Sequence, residues 1–511
     1  MEPFTRDATL VKHLPAHVGQ TVELQGWVAN RRDSKLRTFI VLRDGTGFVQ
    51  CVVERDRVGE AAFALSRKLG LESSIYVRGK VVSDARQMGG VEVHVETLKA
   101  YQVVQDYPIA KKAHGVEFLM DRRHLWLRSR RQWAIMQIRN RAIQAIHRYF
   151  QRHDFVQADA PILTGNACEG TTTLFPTPFY DQTAYLTQSG QLYGEAMAMA
   201  FGRIYTFGPT FRAEKSKTRR HLSEFWMIEP EMAFFDLDML MDFIEDFVRT
   251  VTLEVVEQSR MEMEILGRDP APLRKVAEPF ERLEYERAVR VLNGTERVNG
   301  MSAVEMWRQE LDHTRAEIQS VQGRIAELEG LLKQPMKEKK RNYYQAELNQ
   351  AKARLHTLEE RRKNIPLWIE SAENFRFGND FGGADETVLT LLFDRPVMVY
   401  NWPRAIKAFY MKGVPGRPDL VKGVDLLAPE GYGEIVGGSE RETDEQVLRQ
   451  RIREENLPEE AFEWYLDLRR FGTVPHAGFG LGFERYVSWL AKLPHVREAI
   501  PFPRMYGRLF P

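Results

Sequence analysis

The run "FRAEKSKTRRHLSEFWMIEPEMAF", Phe211 to Phe234, crowds Arg, Lys, Glu and His into its first half and then turns apolar. Alone, it reads as easily as a solvated loop entering a core strand as it does as charges aimed at a ligand. Two later stretches bear on the choice. In "GVDLLAPEGYGEIVGGSERE", Gly423 to Glu442, the carboxylates of Asp425 and Glu434 flank a glycine turn. In "HAGFGLGFERYVSWL", His476 to Leu490, Gly478, Gly480 and Gly482 precede Phe-Glu-Arg and an apolar helix. Together the three suit a nucleoside triphosphate. An Arg fork donates two hydrogen bonds to phosphate and stays charged. Carboxylates are hard oxygen ligands for Mg2+, which needs few protein ligands when phosphates supply the rest. Glycines let backbone and ligand approach closely. The sequence has no GxxxxGK[ST] loop and no βαβ unit around its glycines, so neither a P-loop nor a dinucleotide fingerprint is implied.

Such groups need elements to hold them. From Thr21 to Leu98 the chain alternates as short strands, "TVELQGWV", "TFIVL", "FVQCVV", "SIYVRGKVV" and "VEVHVETL", with the helix-like "GEAAFALSRKLG" after the third. That is the order of an OB-fold, a small barrel suited to single-stranded nucleic acid. The loop "NRRDSKLR" places four Arg and Lys beside Phe39, a combination that suits unstacked bases. Between Asp106 and His153 eleven Lys and Arg face three acids, a balance of 11 − 3 = +8, for which a phosphate backbone is one partner and a solvated helix face another. Within it, Trp133, Met136, Ile143 and Ile146 follow helical spacing with Arg on the other face, and "FVQADAPIL" reads as a strand ending at Pro161. Residues 302–363 differ from the rest. Apolar positions recur at Val304, Leu311, Ile318, Ile325 and Leu332, interleaved with Trp307, Val321 and Leu328, while Thr314 breaks that second row. After a turn at Pro335, Tyr344, Leu348, Ala351, Leu355 and Leu358 continue the pattern, predicting an antiparallel coiled-coil hairpin with arms of about 40–45 Å.

Composition bounds the rest. A chain of 511 residues exceeds one core, and two to four domains are expected. No apolar run approaches the roughly 20 residues needed to span a bilayer, and the N-terminus lacks a signal-peptide apolar region, so no membrane role is expected. Cys51 and Cys168 are the only cysteines, which excludes a disulfide framework and suits a reducing cytoplasm. The net charge of +1 excludes a uniformly basic surface.

"FRAEKSKTRRHLSEFWMIEPEMAF" and "GFGLGFERYVSWL" resemble motifs 2 and 3 of class II aminoacyl-tRNA synthetases, and Arg128 to Pro161 resembles motif 1, the usual dimer element. An OB-fold ahead of them marks the aspartate/asparagine/lysine subgroup. "SGQLYGEAMAM", "YTFGPTFRAE", "EFWMIEPEMAF", "IKAFYM", "GEIVGGSERE" and the terminal "IPFPR" are most similar to its asparagine-specific members. The resemblance covers the chain except about residues 298–370. It implies an α+β multidomain fold: a five-stranded OB-fold barrel for anticodon binding at 1–104, a hinge at 105–127, and a class II catalytic domain at 128–511. The catalytic domain would be an antiparallel sheet flanked by helices, with the coiled-coil hairpin inserted at 302–363. It implies activation of L-asparagine by ATP with Mg2+, then transfer to tRNA(Asn), by a cytoplasmic homodimer joined through motif 1.

The resemblance also implies roles. Arg212 would hold the ATP α-phosphate and the amino-acid carboxylate, Glu214 the adenine amino group, His221 the distal phosphates, and Phe225 one adenine face. Arg485 would cover the other face and reach the γ-phosphate, with Asp425 and Glu434 carrying Mg2+. Glu169 and Gln191 would take the α-ammonium, and Arg441 and Glu229 the side-chain amide. Where aspartate enzymes place a Lys, this chain has Gly194, so a cation for a second carboxylate is missing. An amide needs one donor and one acceptor opposite it, and a Glu acceptor repels aspartate. Glu229 also reads as a buried ion-pair partner of Arg441. In the barrel, Phe39 and Gln50, assisted by Arg31, would meet anticodon bases. The competing expectations are an aspartate-charging synthetase, an asparagine synthetase on this fold, and a non-catalytic RNA-binding paralogue.

Overall fold

The computed structural model describes residues 4–110, 114–165 and 173–511, apart from Met88 and the side chain of Lys339. Glu169 and Cys168 lie outside the described residues. The chain divides into two compact units, Met1–Leu119 and Met120–Pro511.

The first unit is a closed barrel. Its strands are β1 (Thr21–Asp33), β2 (Arg37–Arg43), β3 (Phe48–Glu54), β4 (Ser74–Ser83) and β5 (Val91–Gln102), closed in the order β1-β2-β3-β5-β4. The helix Arg55–Lys68 sits between β3 and β4, where the sequence places it. Strand alternation builds the interior: Ile40 and Leu42 of β2, Val49, Cys51 and Val53 of β3 and Val93 and Val95 of β5 form one core. Burial pushes the Cys51 thiol up to about 12, so this cysteine is unreactive packing. The "NRRDSKLR" segment is not an open loop. Strand pairing continues through Arg31↔Ile40, Arg32↔Phe39 and Asp33↔Thr38, leaving only a tight turn at 34–36.

The second unit is built on one large sheet. After β6 (Val156–Gln157), β7 (Leu163–Thr164), β8 (Phe175–Phe179) and β9 (Gln182–Leu186) come β10 (Arg203–Phe211), β11 (Glu224–Ala233), β12 (Glu281–Glu284) and β13 (Val397–Pro403). β14 (Gly413–Val414), β15 (Arg417–Ala428), β16 (Gly433–Glu440) and β17 (His476–Gly482) complete the set. The sheet runs β12-β13-β15-β16-β17-β11-β10-β6, with β14 on β15; β7-β9-β8 form a separate small sheet. Its centre is antiparallel, and parallel pairing is confined to the edges, β6 with β10 and β12 with β13. The helices Arg130–Arg152 and Leu237–Gln258 bury their apolar stripes in the core beneath β11 and β17.

Three expectations change here. The strand read in "FVQADAPIL" shrinks to the two residues of β6. On Arg130–Arg152 the deepest residues are Ile135, Ile138, Ala142, Ala145, Ile146, Tyr149 and Phe150, whereas Met136 and Ile143 are only half-buried. Part of the cationic belt is also spent internally. Arg123 is fully buried and donates to the carbonyls of Ile500 and Pro501; Arg139 pairs with Glu484, Arg141 with Glu262 and Arg148 with Glu254. Guanidinium groups consumed in this way are not a phosphate track.

The heptad region forms two packed helices, Ala303–Leu332 and Glu338–Glu373. Ser302 and Glu305 close a capping box at the start of the first. The return helix runs ten residues past 363, and Trp307 stacks near Trp368 at 4.8 Å. Val304, Trp307, Ile365 and Ala372 enter the core that contains β13, which roots the hairpin in the unit. Thr314, a break in the apolar row, is fully buried nonetheless.

Candidate active site

The charged run and the glycine-rich strand become neighbours because β11 lies between β10 and β17. Met227 faces Gly482 and Glu231 faces Gly478 across that register. The glycines are space for side chains of β11. A Cβ on Gly478 would lie 2.3 Å from the Glu231 carboxylate, and one on Gly480 would lie 2.9 Å from Met227 Sδ.

Two adjoining compartments open over these strands. The first is lined by Arg212, His221, Phe225, Glu434 and Arg485 among others. The second is lined by Gln191, Glu229, Glu231, Tyr410, Asp425 and Arg441. Arg212, Met227, Glu434 and Gly480 belong to both. Arg212 follows β10; its backbone N–H donates to Ser223 O at 3.0 Å, and its guanidinium lies 5.6 Å from the Phe225 ring centre. Arg485, in the first turn of the helix Phe483–Leu490, donates to the carboxylate of Glu434 at 3.1 Å.

Glu214 and His221 close on each other. His221 Nε2 meets Glu214 Oε2 at 3.1 Å, and His221 Nδ1 contacts Thr218 Oγ1. The His221 hydrogen bond, helped by Arg212, holds the Glu214 carboxyl below its usual range although burial works against it.

Asp425 on β15 faces Gly437 of β16 in register, and Glu434 lies nearby across a bulge. A Cβ built on Gly437 would be 3.2 Å from Glu434 Oε1 and 3.6 Å from Asp425 Oδ1, so both carboxylates edge one spot. Burial pushes Asp425 up to about 7 against the pull of Lys407, with Glu434 adding to the rise. Lys407 Nζ donates to Asp425 at 2.6 Å and sits 3.9 Å from the Trp402 ring centre. Two crowded, half-buried carboxylates are a fitting donor set for Mg2+, which takes one or two carboxylates and draws its other ligands from phosphate and water. Among the described residues no cluster of three or more His, Cys, Asp or Glu forms a closed metal cage.

The second compartment departs from expectation at Arg441. Its partner is Glu231, at 2.5 Å from Nη2 and 3.3 Å from Nε, and not Glu229. Glu229 instead accepts from Ser189 Oγ, from Gly190 N at 2.8 Å and from Thr206 Oγ1 at 3.2 Å, at the start of the helix Gln191–Phe201. Gly194 on that helix faces Glu231, whose Cγ would be 3.2 Å from an added Cβ.

Behind this wall lies a group that motif reading passed over. Glu195 is fully buried and accepts from Tyr465 OH at 2.7 Å, Arg469 Nη2 at 2.8 Å and Gln191 Nε2 at 3.1 Å, and it meets His476 Nε2 at 3.0 Å. Burial pushes this carboxyl up, but Arg469, His476 and Arg441 together hold it well below its ordinary range. Arg441 is held charged too: burial opposes it, and Glu231 and Glu195 more than offset burial. The available signal was the four-residue spacing from Gln191 to Glu195, one helical turn. Glu386 and Arg220 were also missed: Arg220 donates to Glu386 at 2.8 Å and to Gly431 O at 2.7 Å, tying the charged run to the loop before β16.

In the barrel unit, Phe39 and Gln50 lie on one outward face. Val41 pairs with Gln50 and Phe39 with Val52, while Ile40 between them points into the core. Arg32 lies over the Phe39 ring at 4.9 Å, and Gln50 donates to Glu92 at 2.9 Å. Arg31 turns back instead. It donates to Leu69 O and pairs with Asp33 at 3.4 Å, so it braces the barrel beside that face.

An anticodon-type barrel and an antiparallel sheet bearing a charged double cleft define a class of enzyme. Residues 115–506 match the family described as tRNA synthetases class II (D, K and N), and residues 22–100 match the OB-fold nucleic acid binding domain; the chain belongs to that class II family. It is 46% identical over 499 residues to the asparagine–tRNA ligase of Sorangium cellulosum, covering 98% of each protein. To the asparagine–tRNA ligase of Desulforamulus reducens it is 44% identical over 503 residues, covering 98% of this chain and 99% of that one. Among solved structures it is similar to asparaginyl-tRNA synthetase from Pyrococcus horikoshii complexed with asparaginyl-adenylate. That match has a TM-score of 0.81 at 37% identity and covers 99% of this chain and 100% of the other. An aspartyl-tRNA synthetase from Entamoeba histolytica shares the fold, with a TM-score of 0.70 at 21% identity.

Proposed function

We propose that the chain activates L-asparagine with ATP and transfers it to tRNA(Asn). The observation that carries this reading is that Arg212 lines both compartments. A cation at their junction is where a carboxylate from one side would meet an α-phosphate from the other. In the first compartment adenine lies on Phe225, with Arg485 over its other face and reaching the γ-phosphate. Glu214 takes the adenine amino group and His221 the distal phosphates, which requires their mutual contact to part when ATP enters. In the second, Gln191 takes the α-ammonium and Arg441 and Glu229 the amide; Glu169, outside the described residues, is proposed from its motif position as a further acceptor for the ammonium.

The asparagine carboxylate oxygen attacks the α-phosphorus in line. A carboxylate–phosphorus bond forms as the bond from the α-phosphorus to the bridging oxygen breaks, and pyrophosphate leaves. Arg212 donates to both partners and stabilises the charge growing on the phosphoryl oxygens. The substrate is its own nucleophile, so catalysis is positioning plus electrostatics. A terminal hydroxyl of tRNA then attacks the carbonyl carbon and AMP departs. Asp425 and Glu434 would hold Mg2+, which when bound neutralises phosphate charge. Aspartate is disfavoured because its second carboxylate would face Glu229, with Glu231 close behind, and would find no cation at Gly194.

Phe39 and Gln50 would read anticodon bases, with Arg31 acting as their support. Homodimerisation falls to the motif 1 region, where Val156 is an exposed apolar side chain, with exposed Ile162 and Leu163 just beyond its end. The cytoplasm is the proposed place of work, as for the translation family; no helix among the described residues is long and apolar enough to cross a membrane.

Pyrophosphate exchange with asparagine and aspartate side by side, followed by transfer to tRNA(Asn), tests the reading; preference for aspartate overturns the substrate. Arg485→Ala is expected to lower asparagine-dependent exchange by roughly 100-fold or more with tRNA binding unchanged. Full exchange in that variant would remove Arg485 from the ATP site.

A further inference from the structure

The hairpin divides sharply by charge. Along its shaft five of the eight cations pair across the two helices, Arg308 with Glu373, Arg361 with Glu310, Arg354 with Glu317, Lys352 with Glu329 and Arg324 with Glu347, all at 2.6–2.9 Å, and Arg315 pairs with Asp312 on its own helix. By sequence, residues 302–332 carry three Lys and Arg against six acids, and residues 342–373 carry five against five. The tip inverts this. Residues 333–341 hold five Lys and Arg against the single acid Glu338, a balance of 5 − 1 = +4. Lys333, Lys337 and Arg341 are exposed and have no ion-pair partner among the described residues, and Lys340 lies 5.5 Å from the Tyr344 ring centre. Beside them the Tyr343 ring is 59% exposed, with its hydroxyl bonded to Glu347 at 2.6 Å.

An arm that pairs most of its shaft cations along about 45 Å of helix and gathers its net positive charge at the end is built to present that end to something. We infer that the hairpin tip is an RNA-binding element that grips the phosphate backbone of the tRNA substrate, with Tyr343 available to a base or ribose face. This rests on the function proposed above. Sequence-tolerant RNA contact combines these parts, ammonium and guanidinium groups for phosphate and an aromatic face for stacking. A partly acidic shaft would add repulsion wherever the RNA strayed from the tip, confining the contact to it.

The test neutralises the tip in the full chain as Lys333→Gln, Lys337→Gln, Lys340→Gln and Arg341→Gln, with Tyr343→Ala as a second variant. Three quantities are read: asparagine-dependent pyrophosphate exchange, the KM for tRNA(Asn) in aminoacylation, and the Kd for a tRNA(Asn) transcript by fluorescence anisotropy across 50–300 mM salt. The expected result is unchanged exchange, with KM and Kd raised roughly fivefold or more at low salt and a salt slope shallower by about two to three charges. Unchanged Kd and slope overturn the inference. So does loss of dimer with tRNA affinity intact, which would make the tip an interface between copies. Absence of exchange in the parent chain would instead refute the functional reading, and the anisotropy titration would still decide whether the tip binds RNA.

Discussion

Glu195 has no exposed surface, yet Tyr465, Arg469, His476 and Gln191 all converge on its carboxylate. A carboxylate can only accept, so it obliges Gln191 to turn its NH2 inward and its carbonyl toward the chamber. That carbonyl is what an α-ammonium needs. Glu195→Gln keeps the shape and removes the obligation. Because Arg469 is buried with it, about 3–5 kcal/mol of stability is expected to be lost. The readout specific to positioning is a KM for asparagine raised roughly tenfold, about 1.4 kcal/mol, with the KM for ATP held. A variant that loses stability but keeps the asparagine KM would reduce Glu195 to a packing role. His495 offers a pH test. Its Nδ1 accepts the N–H of Arg497 at 3.2 Å, and burial, then Arg497 and Arg219, lower its pKa to about 4. The folded state therefore resists protonation that the unfolded chain accepts near 6.5. This contribution is complete above about pH 6.5 and is lost as pH falls toward 4. His495→Asn, which can still cap, should flatten that limb of a Tm-against-pH curve; an unchanged limb would assign it to other groups.

Among elements, the hairpin was the most legible and the motif 1 strand the least. Heptad spacing needs only neighbours on the same two helices, so Ile318, Leu328, Leu348 and Leu358 are buried where the pattern placed them. Thr314 was a break by composition, but its slot faces the partner helix regardless, and its Oγ1 is buried without a hydrogen-bond partner. Thr314→Val replaces that hydroxyl with a methyl of similar shape and is expected to stabilise the arm by about 1 kcal/mol. Amide hydrogen exchange in Ala303–Leu332 should slow accordingly, and faster exchange would show the hydroxyl to be needed. The strand read in "FVQADAPIL" depended on a partner the sequence does not name. Val156 and Gln157 find one on β10, while Leu163 at the far end pairs instead with Leu186 of β9 in the separate small sheet.

For the whole molecule, the hairpin is rooted rather than appended. Excision at 302–363 would tear Trp307 from the core it shares with Ile365 and Ala372. A cut beyond the Glu317–Arg354 pair spares that root. Deleting 318–353 and joining the ends with a short glycine turn should leave asparagine-dependent exchange and the main thermal transition unchanged while raising the tRNA KM as the tip variant does. Lost exchange would show that the distal arm supports the catalytic unit itself.

The sequence by itself determined the barrel, the three motif segments and the coiled coil, because these depend on periodicity, turn chemistry and strings whose residues act close together along the chain. The charged run that could have been a wet loop is identified in sequence by its company, Asp425, Glu434 and Arg485. Only tertiary structure decided how charges pair. Arg441 takes Glu231 and not Glu229 because β11 lies beside β17, where Gly478 leaves room for that carboxylate. From the cationic belt, Arg141, Arg148, Arg139 and Arg123 are spent on Glu262, Glu254, Glu484 and a backbone carbonyl more than 100 positions away. Pairing energy depends on distance and burial in space, and neither can be read from separation along a chain.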